Sequence, residues 1–326
     1  MAGPRQTNIS GRVLLAQGYA ALWTPDDLDI RIIRALASPH SFQWDVRISY
    51  ARVAKGLKVD EETVRNRLKR MNDAQFLLGW QLVLNPVLLG REAAIIELRV
   101  GDTESKAEVI ARLKMVEGVM LIDDFYGKEL AVTTLYENAA ALERQVRLCA
   151  SLCGSPTPVS WKVGFPACTL TPTTTDWRII QTLRRSGRMR LSDVARALRL
   201  TTRTVKRRLT QLVEGNAFYL DPMLDIARVG GVRGRFWATS EVGRKRAVDK
   251  TILAELPRII FTHTAPPESS LFVSHLANAS EVQEKLHWMK QLDGVKEVRS
   301  TIEVEHIHVQ EWLESEIERR LQARAA

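Results

Sequence analysis

Apolar positions along the chain alternate between helical and strand periods, and the same succession is met twice. Ile32, Ile33 and Leu36 form a stripe at helical spacing, as do Ile179, Ile180 and Leu183. Ser49 and Ser192 then stand where N-caps belong, ahead of short helices expected over 50–55 and 193–198. After a tight turn, Asp60 and Thr201 are placed to cap a third helix. Its apolar residues, Val64, Leu68 and Met71 or Val205, Leu209 and Leu212, fall at i, i+4 and i+7. Two short helices joined by a tight turn predict a helix-turn-helix, and the stretches 76–84 and 217–220 read as wings. Beyond each wing, strands are expected over 93–100, 119–125, 129–136 and 159–163, with helices ending near Met115 and spanning 138–152. The second pass places strands near 232–239, 259–264, 271–277 and 295–304. That order is the βαββαβ sandwich of ferredoxin-like folds. The expected class is therefore α+β, with two copies of a winged helix-turn-helix followed by a ferredoxin-like domain.

The repeat is visible in the residues themselves. Leu28-Asp29 with Arg31-Ile32-Ile33 lies over Thr175-Asp176 with Arg178-Ile179-Ile180, and Val53-Ala54, Leu57, Thr63-Val64 and Arg67-Leu68 recur as Val194-Ala195, Leu198, Thr204-Val205 and Arg208-Leu209. The expected units are 24–90 and 91–165, a Pro- and Thr-rich linker at 166–175, then 176–230 and 231–308. An amphipathic helix closes the chain over 309–326, with Trp312, Leu313, Ile317 and Leu321 at a spacing that would let it join two chains.

Composition removes several classes of protein. With 326 residues, 45% of them apolar and 26% charged, the chain is rich enough in core-forming residues to exclude intrinsic disorder. The longest uncharged apolar stretch, 76–90, is shorter than the roughly 20 residues a membrane span needs, and it contains Asn85 and Pro86. Arg5 and Arg12 ahead of Val13 to Ala16 look slightly like a leader, but Gln17-Gly18-Tyr19 interrupts that run. The 3 cysteines include Cys149 and Cys153 one helical turn apart, with no companions at metal spacing, so buried thiols in a reduced cytoplasmic protein are expected, with no metal and no cofactor.

Charge carries the functional signal. The net charge is +9, and the window 177–208 alone holds eleven basic residues against the single acid Asp193. A solvated face ordinarily mixes signs, whereas this one suits a polyanion, and a basic third helix suits the major groove of double-stranded DNA. The residues expected to face DNA are Thr201, Thr202, Arg203, Lys206, Arg207 and Arg208 in the second copy and Arg65, Arg67 and Lys69 in the first. The first copy opens its third helix with Asp60-Glu61-Glu62; acids there complement the helix dipole but oppose phosphate.

In these residues each half resembles the Lrp/AsnC family of transcription regulators. The resemblance spans 24–308 and includes Leu84-Asn85-Pro86 with Leu89-Gly90, Thr201 to Leu209, and Leu220-Asp221-Pro222. It implies a DNA-binding regulator and no enzyme. Family members usually carry one unit and dimerise, so the tandem looks like a fused dimer, an intrachain pseudo-dimer able to build homo-oligomers. The family's effector loop is matched by Asp123-Asp124-Phe125-Tyr126-Gly127-Lys128, which would make Asp124, Tyr126, Gly127 and Lys128 the contacts for an amino acid or related small molecule. The second copy departs there, with Ala265-Pro266-Pro267-Glu268. The architecture is also similar to siroheme decarboxylases of haem biosynthesis. Thr262-His263-Thr264 would sit on the strand that carries their histidine, while Leu121-Ile122-Asp123 offers no counterpart. Such an enzyme has little use for a strongly basic helix-turn-helix. His306 and His308 alternate on one strand face and read as structural.

Overall fold

The computed structural model describes residues 23–37, 48–184, 186–264, 268–309 and 311–322. The leader-like stretch considered above lies outside them. The first copy runs α1 Asp27–Ala37, α2 Tyr50–Leu57, α3 Glu61–Asp73, β1 Leu77–Leu84, β2 Glu92–Arg99, α4 Lys106–Leu113, β3 Val119–Phe125, β4 Glu129–Tyr136, α5 Ala139–Cys153 and β5 Val159–Val163. The second runs α6 Thr174–Leu183, α7 Leu191–Leu198, α8 Thr202–Glu214, β6 Phe218–Leu224, β7 Val232–Ser240, α9 Lys245–Glu255, β8 Ile259–Thr264, β9 Ser269–Leu276, α10 Ala279–Lys290 and β10 Val295–His308, followed by α11 Glu311–Gln322.

Local chemistry explains the helix starts. The backbone N–H of Asp26 donates to Asp29 and that of Asp29 returns to Asp26, at 3.1 and 3.0 Å, a reciprocal cap on α1 that Thr173 and Asp176 repeat on α6. Ser49 accepts from Arg52 N–H and Thr201 from Thr204 N–H, while Asp60 makes no side-chain cap. Ser192 is not the cap of α7. The turn through Ser186 to Met189 delivers the chain already helical at Leu191, so Arg190 takes the N-cap position and Ser192 falls in the first turn.

The wings do not form separately. β1 and β6 pair antiparallel, Leu84 opposite Phe218 and Gln81 opposite Asp221, giving one ribbon shared by the two helix-turn-helix units. A lone strand leaves its backbone groups unpaired, and each copy supplies what the other lacks.

The remaining strands form one eight-stranded sheet in the order β5-β2-β4-β3-β10-β7-β9-β8, two ferredoxin-like halves joined by β3 against β10. β10 runs four residues past its expected end, and those outer residues pair with β3: His306 lies opposite Asp123 and Ile307 opposite Ile122. The equivalent strand β5 stops at Val163, because the chain leaves as the linker and is held elsewhere. Asn85 donates to Pro166 O and Asn216 to Ala167 O, each at 3.0 Å, and Cys168 is buried. The sheet curls until its halves face each other. Trp161 meets Trp237 edge-on at 4.8 Å, and Arg299 forks Glu97 at 2.5 and 2.7 Å.

Helices cover the outer faces, burying Val109, Leu113, Cys149 and Cys153 on one half and Val248, Ile252, Val282 and Met289 on the other. Full burial of such an apolar side chain contributes about 1.5–3 kcal/mol. Burial also pushes the thiols of Cys149 and Cys153 up to about 12 and about 11, leaving them unreactive. The apolar stripe of α11 is used within the chain rather than between chains. Leu313 and Ile317 are buried in the core that contains α6, Arg184 meets Glu314 at 3.1 Å, and Arg320 donates to Leu89 O at 2.8 Å. Among the described residues no helix is long and apolar enough to cross a membrane.

Candidate functional site

α8 is the one third helix that offers an open cationic face. Val205, Leu209 and Leu212 are buried, while Thr201, Thr202, Arg203, Lys206 and Arg207 are exposed, and the last three form no ion pair among the described residues. Arg178, Arg190, Arg196 and Arg199 are exposed nearby. Not all of the basic window is available. Arg208 turns inward, 3.5 Å from Asp176; Arg184 is buried; Arg188 donates to Ile48 O at 2.9 Å and lies over Tyr50, tying the second unit to the first. Arg185 lies outside the described residues.

The first unit differs in kind. Arg67, expected on the outer face, points into the unit against Asp26 and lies 3.2 Å from the buried Asp29, with Arg70 donating to Asp29 at 2.7 Å. Its position matches Arg208, and Asp29 matches Asp176, so both copies use this arginine to tie α3 or α8 to the first helix of the unit. The reason is burial: a carboxylate capping a helix beneath an apolar core needs a cation, and the third helix supplies it. Arg65 is exposed but pairs with Glu61 one turn away and lies over Tyr50 at 5.2 Å, leaving Lys69 as the one of the three with no ion pair among the described residues.

The expected effector residues are largely engaged with one another's neighbours. Lys106 pairs with Asp124 and donates to the carbonyls of Phe125 and, at 2.9 Å, Gly127; Lys128 pairs with Asp102. Gly127 adopts φ +86°, a turn conformation that favours glycine. Tyr126 is exposed and alone of the four borders a cleft of about 990 Å³, including its open mouth, shared with Phe125, Glu129, Trp237 and Arg299.

A second site, not expected from the sequence, lies where the shared ribbon meets the sheet. A cavity of about 1270 Å³, including its open mouth, has apolar walls such as Leu82, Ile95 and Val273 and one charged corner. There Arg235 of β7 donates to Asp123 of β3 at 2.9 Å, Arg233 pairs with Glu303, and His306 Nδ1 lies 2.5 Å from Asp123. Asp221 descends from β6, its Oδ2 3.7 Å from His306 Nε2 and 3.8 Å from His308 Nε2. Burial alone would raise the Asp123 carboxyl, but the charges of Arg235 and His306 hold it well below the usual range. Burial disfavours the His306 cation, and Asp123 overrides it, raising the imidazole to about 10. For His308, burial and the neighbouring His306 charge push the ring down to about 4, so it is neutral. The signal was present as alternation: Arg233 with Arg235 and His306 with His308 each put two polar residues on one face of a strand. Asp221 and Asp123 come from other elements, and no spacing announces them. Thr262-His263-Thr264 lies on β8, with its side chains outside the described residues.

The winged helix-turn-helix DNA-binding family matches residues 172–216, from the start of the second unit through α8. The proline dehydrogenase transcriptional activator of Rhizobium radiobacter is 30% identical over 115 residues, covering 33% of this chain and 70% of that protein. An uncharacterized HTH-type transcriptional regulator of Pyrococcus furiosus is 30% identical over 132 residues, covering 40% of this chain and 84% of its own length. Among solved structures, the siroheme decarboxylase NirDL in complex with an iron-uroporphyrin III analogue covers 92% of this chain and 100% of its own, with TM-score 0.56 and 14% identity. That likeness shows a shared tandem fold.

Proposed function

The chain belongs to the Lrp/AsnC family of transcription regulators, and we propose that its second helix-turn-helix is the principal reader of double-stranded DNA while the first orients it. The observation that carries this is the open face of α8, where Arg203, Lys206 and Arg207 form no ion pair among the described residues and stand beside Thr201 and Thr202. An arginine that forks a guanine edge contributes about 1–3 kcal/mol of discrimination. Thr202 and the exposed Arg199 suit phosphate contacts, which fix register. On α3 the corresponding cations are tied to Asp26, Asp29 and Glu61, so Lys69 is left for backbone contact. DNA selection with the purified chain, followed by mobility shift at fixed salt, tests this. Arg203→Ala should weaken binding by about 1–3 kcal/mol and Arg65→Ala should have little effect; equal losses overturn the assignment.

The same reading includes a small-molecule effector, an amino acid or relative, in the cleft beside the β3–β4 turn, with Tyr126 at its rim and its carboxylate competing with Asp102 for Lys128. Thermal shift with amino acids tests it, and no response across the set refutes it. A DNA partner implies a cytoplasmic site of action, and light scattering reads whether whole chains associate further. The fold shared with NirDL motivates a decarboxylase reading, which the cavity disfavours. Arg233 and Arg235 are both held by buried acids and offer no spare cation to a polycarboxylate.

A further inference from the structure

We propose that Asp221, His306 and His308 form a binding site for a divalent transition-metal ion of the zinc type, at the joint between the DNA-reading ribbon and the sheet. His306 and His308, two apart on β10, project from one face, and Asp221 reaches them from β6. Their ligand atoms all lie within 4.8 Å of one another, and the carboxylate oxygen is 3.7 and 3.8 Å from the two Nε2 atoms. Bonds of 2.0–2.1 Å in a tetrahedral site give donor separations of about 3.3 Å, so a few tenths of an ångström bring the Asp221 oxygen to ligand distance from each ring, while the two rings, within 4.8 Å of each other, must also turn toward the ion.

Three further observations converge on a cation there. First, His308 Nε2 is buried, aimed at Asp221, and has no hydrogen-bond partner among the described residues. A proton on His306 satisfies Asp123 and Asp221 and leaves that nitrogen orphaned, whereas a metal engages both rings and the carboxylate together. Second, His306 already has the outer partner that metal-bound imidazoles have: Nδ1 faces Asp123 at 2.5 Å, and Asp123 is held by Arg235. This fixes the ring with its Nε2 toward Asp221, where a metal ion would take the place of the proton. Third, Asp123, Asp221 and Glu303 stand against Arg233 and Arg235, leaving one negative charge that the His306 proton balances and that a metal ion displacing this proton would meet in its place. Two imidazoles and one carboxylate match zinc and its neighbours rather than magnesium or calcium, and the cavity leaves a fourth position open to water or a small anionic ligand.

Such an ion would tie β6, the strand that follows α8, to β10, the strand that joins the two sheet halves. Metal occupancy would therefore bear on how the second reading helix is held. The site itself needs nothing of the DNA-binding reading; only its regulatory consequence rests on it.

The test uses the full chain, stripped with a chelator and titrated with zinc against a chromophoric competitor, with cobalt as a spectroscopic probe. One equivalent of zinc per chain and visible cobalt bands of a four- or five-coordinate ion are expected. His308→Ala, which removes a ring whose Nε2 has no hydrogen bond among the described residues, and Asp221→Asn, which keeps the shape, should each weaken binding at least about tenfold by losing one of three ligands. His287→Ala, on the exposed side of α10, should leave it unchanged. Absence of stoichiometric zinc uptake, or wild-type affinity in both ligand variants, overturns the site. Zinc that binds through these residues without moving DNA affinity keeps the site and removes its regulatory role.

Discussion

Replacing Arg235 by Met tests whether the two halves of the sheet are held together by the buried charges at their seam. Arg235 is on β7 of the second copy and donates to Asp123 on β3 of the first at 2.9 Å; its Nε lies 3.2 Å from Glu303, and its guanidinium rests over Phe125 at 5.1 Å. Methionine keeps most of the stem and removes the cation, leaving two carboxylates nearly out of reach of water. Removing one partner of a buried pair costs about 3–5 kcal/mol. His306 still faces Asp123 and Arg233 still faces Glu303, which places the expected loss at the lower end, about 3 kcal/mol. With a urea dependence of about 2–3 kcal/mol per molar, the midpoint should fall by about 1–1.5 M. Tryptophan fluorescence is the readout, since Trp161 and Trp237 meet across the two halves. Adding Asp123→Leu to Arg235→Met removes one of the two stranded carboxylates and should recover part of the loss, because replacing both members of a buried pair by apolar groups is close to neutral while Glu303 keeps Arg233. A midpoint unmoved by Arg235→Met, or a double variant as unstable as the two losses summed, would refute the reasoning.

The association constant for operator DNA should fall steeply with salt, with a slope of about −0.9 per phosphate contact in log K against log salt, and a flat response would point to another partner. His275 is buried, its Nε2 donates to Gly230 O at 3.0 Å, and burial first, then Arg258, lowers its pKa to about 4 from 6.5. The unfolded chain takes up the proton first, so stability should be full above about pH 6.5 and fall by roughly 3 kcal/mol toward pH 4, a slope that His275→Gln should flatten in acid titrations. A Cβ on Gly187 would come within 2.2 Å of Leu220 and 3.2 Å of Trp80 O, so Gly187→Ala should destabilise by about 1–3 kcal/mol in urea, and a neutral result would mean that the ribbon shifts freely against α6.

The helices and most strands were legible because their signals are local. The β3 and β4 bounds follow from apolar runs on either side of the Tyr126-Gly127-Lys128 turn, and Thr201 follows from capping chemistry. What escaped depends on partners distant in sequence. Arg67 and Arg208 sit at outward-looking positions by helical period, yet Asp29 and Asp176, fixed as capping carboxylates, draw them in. His306 and His308 could be read as lying on a strand face, but nothing local says that the last residues of β10 pair with β3 of the other copy. The wings could be recognised as extended, but nothing within either copy says that its partner lies in the other. The histidine pair was readable as a face, and Asp221, which turns it into a site, was not.

The seam between the halves is built once. In an assembly of two identical chains every seam residue occurs twice, and any substitution that suits one copy of the contact is imposed on the other. Here β10 runs on to meet β3, while its counterpart β5 ends early and the chain departs as a linker. Asp123 and Arg235 therefore each serve a single environment. Mutation can adjust one side without disturbing the other, so one half is free to specialise in reading while the other specialises in support.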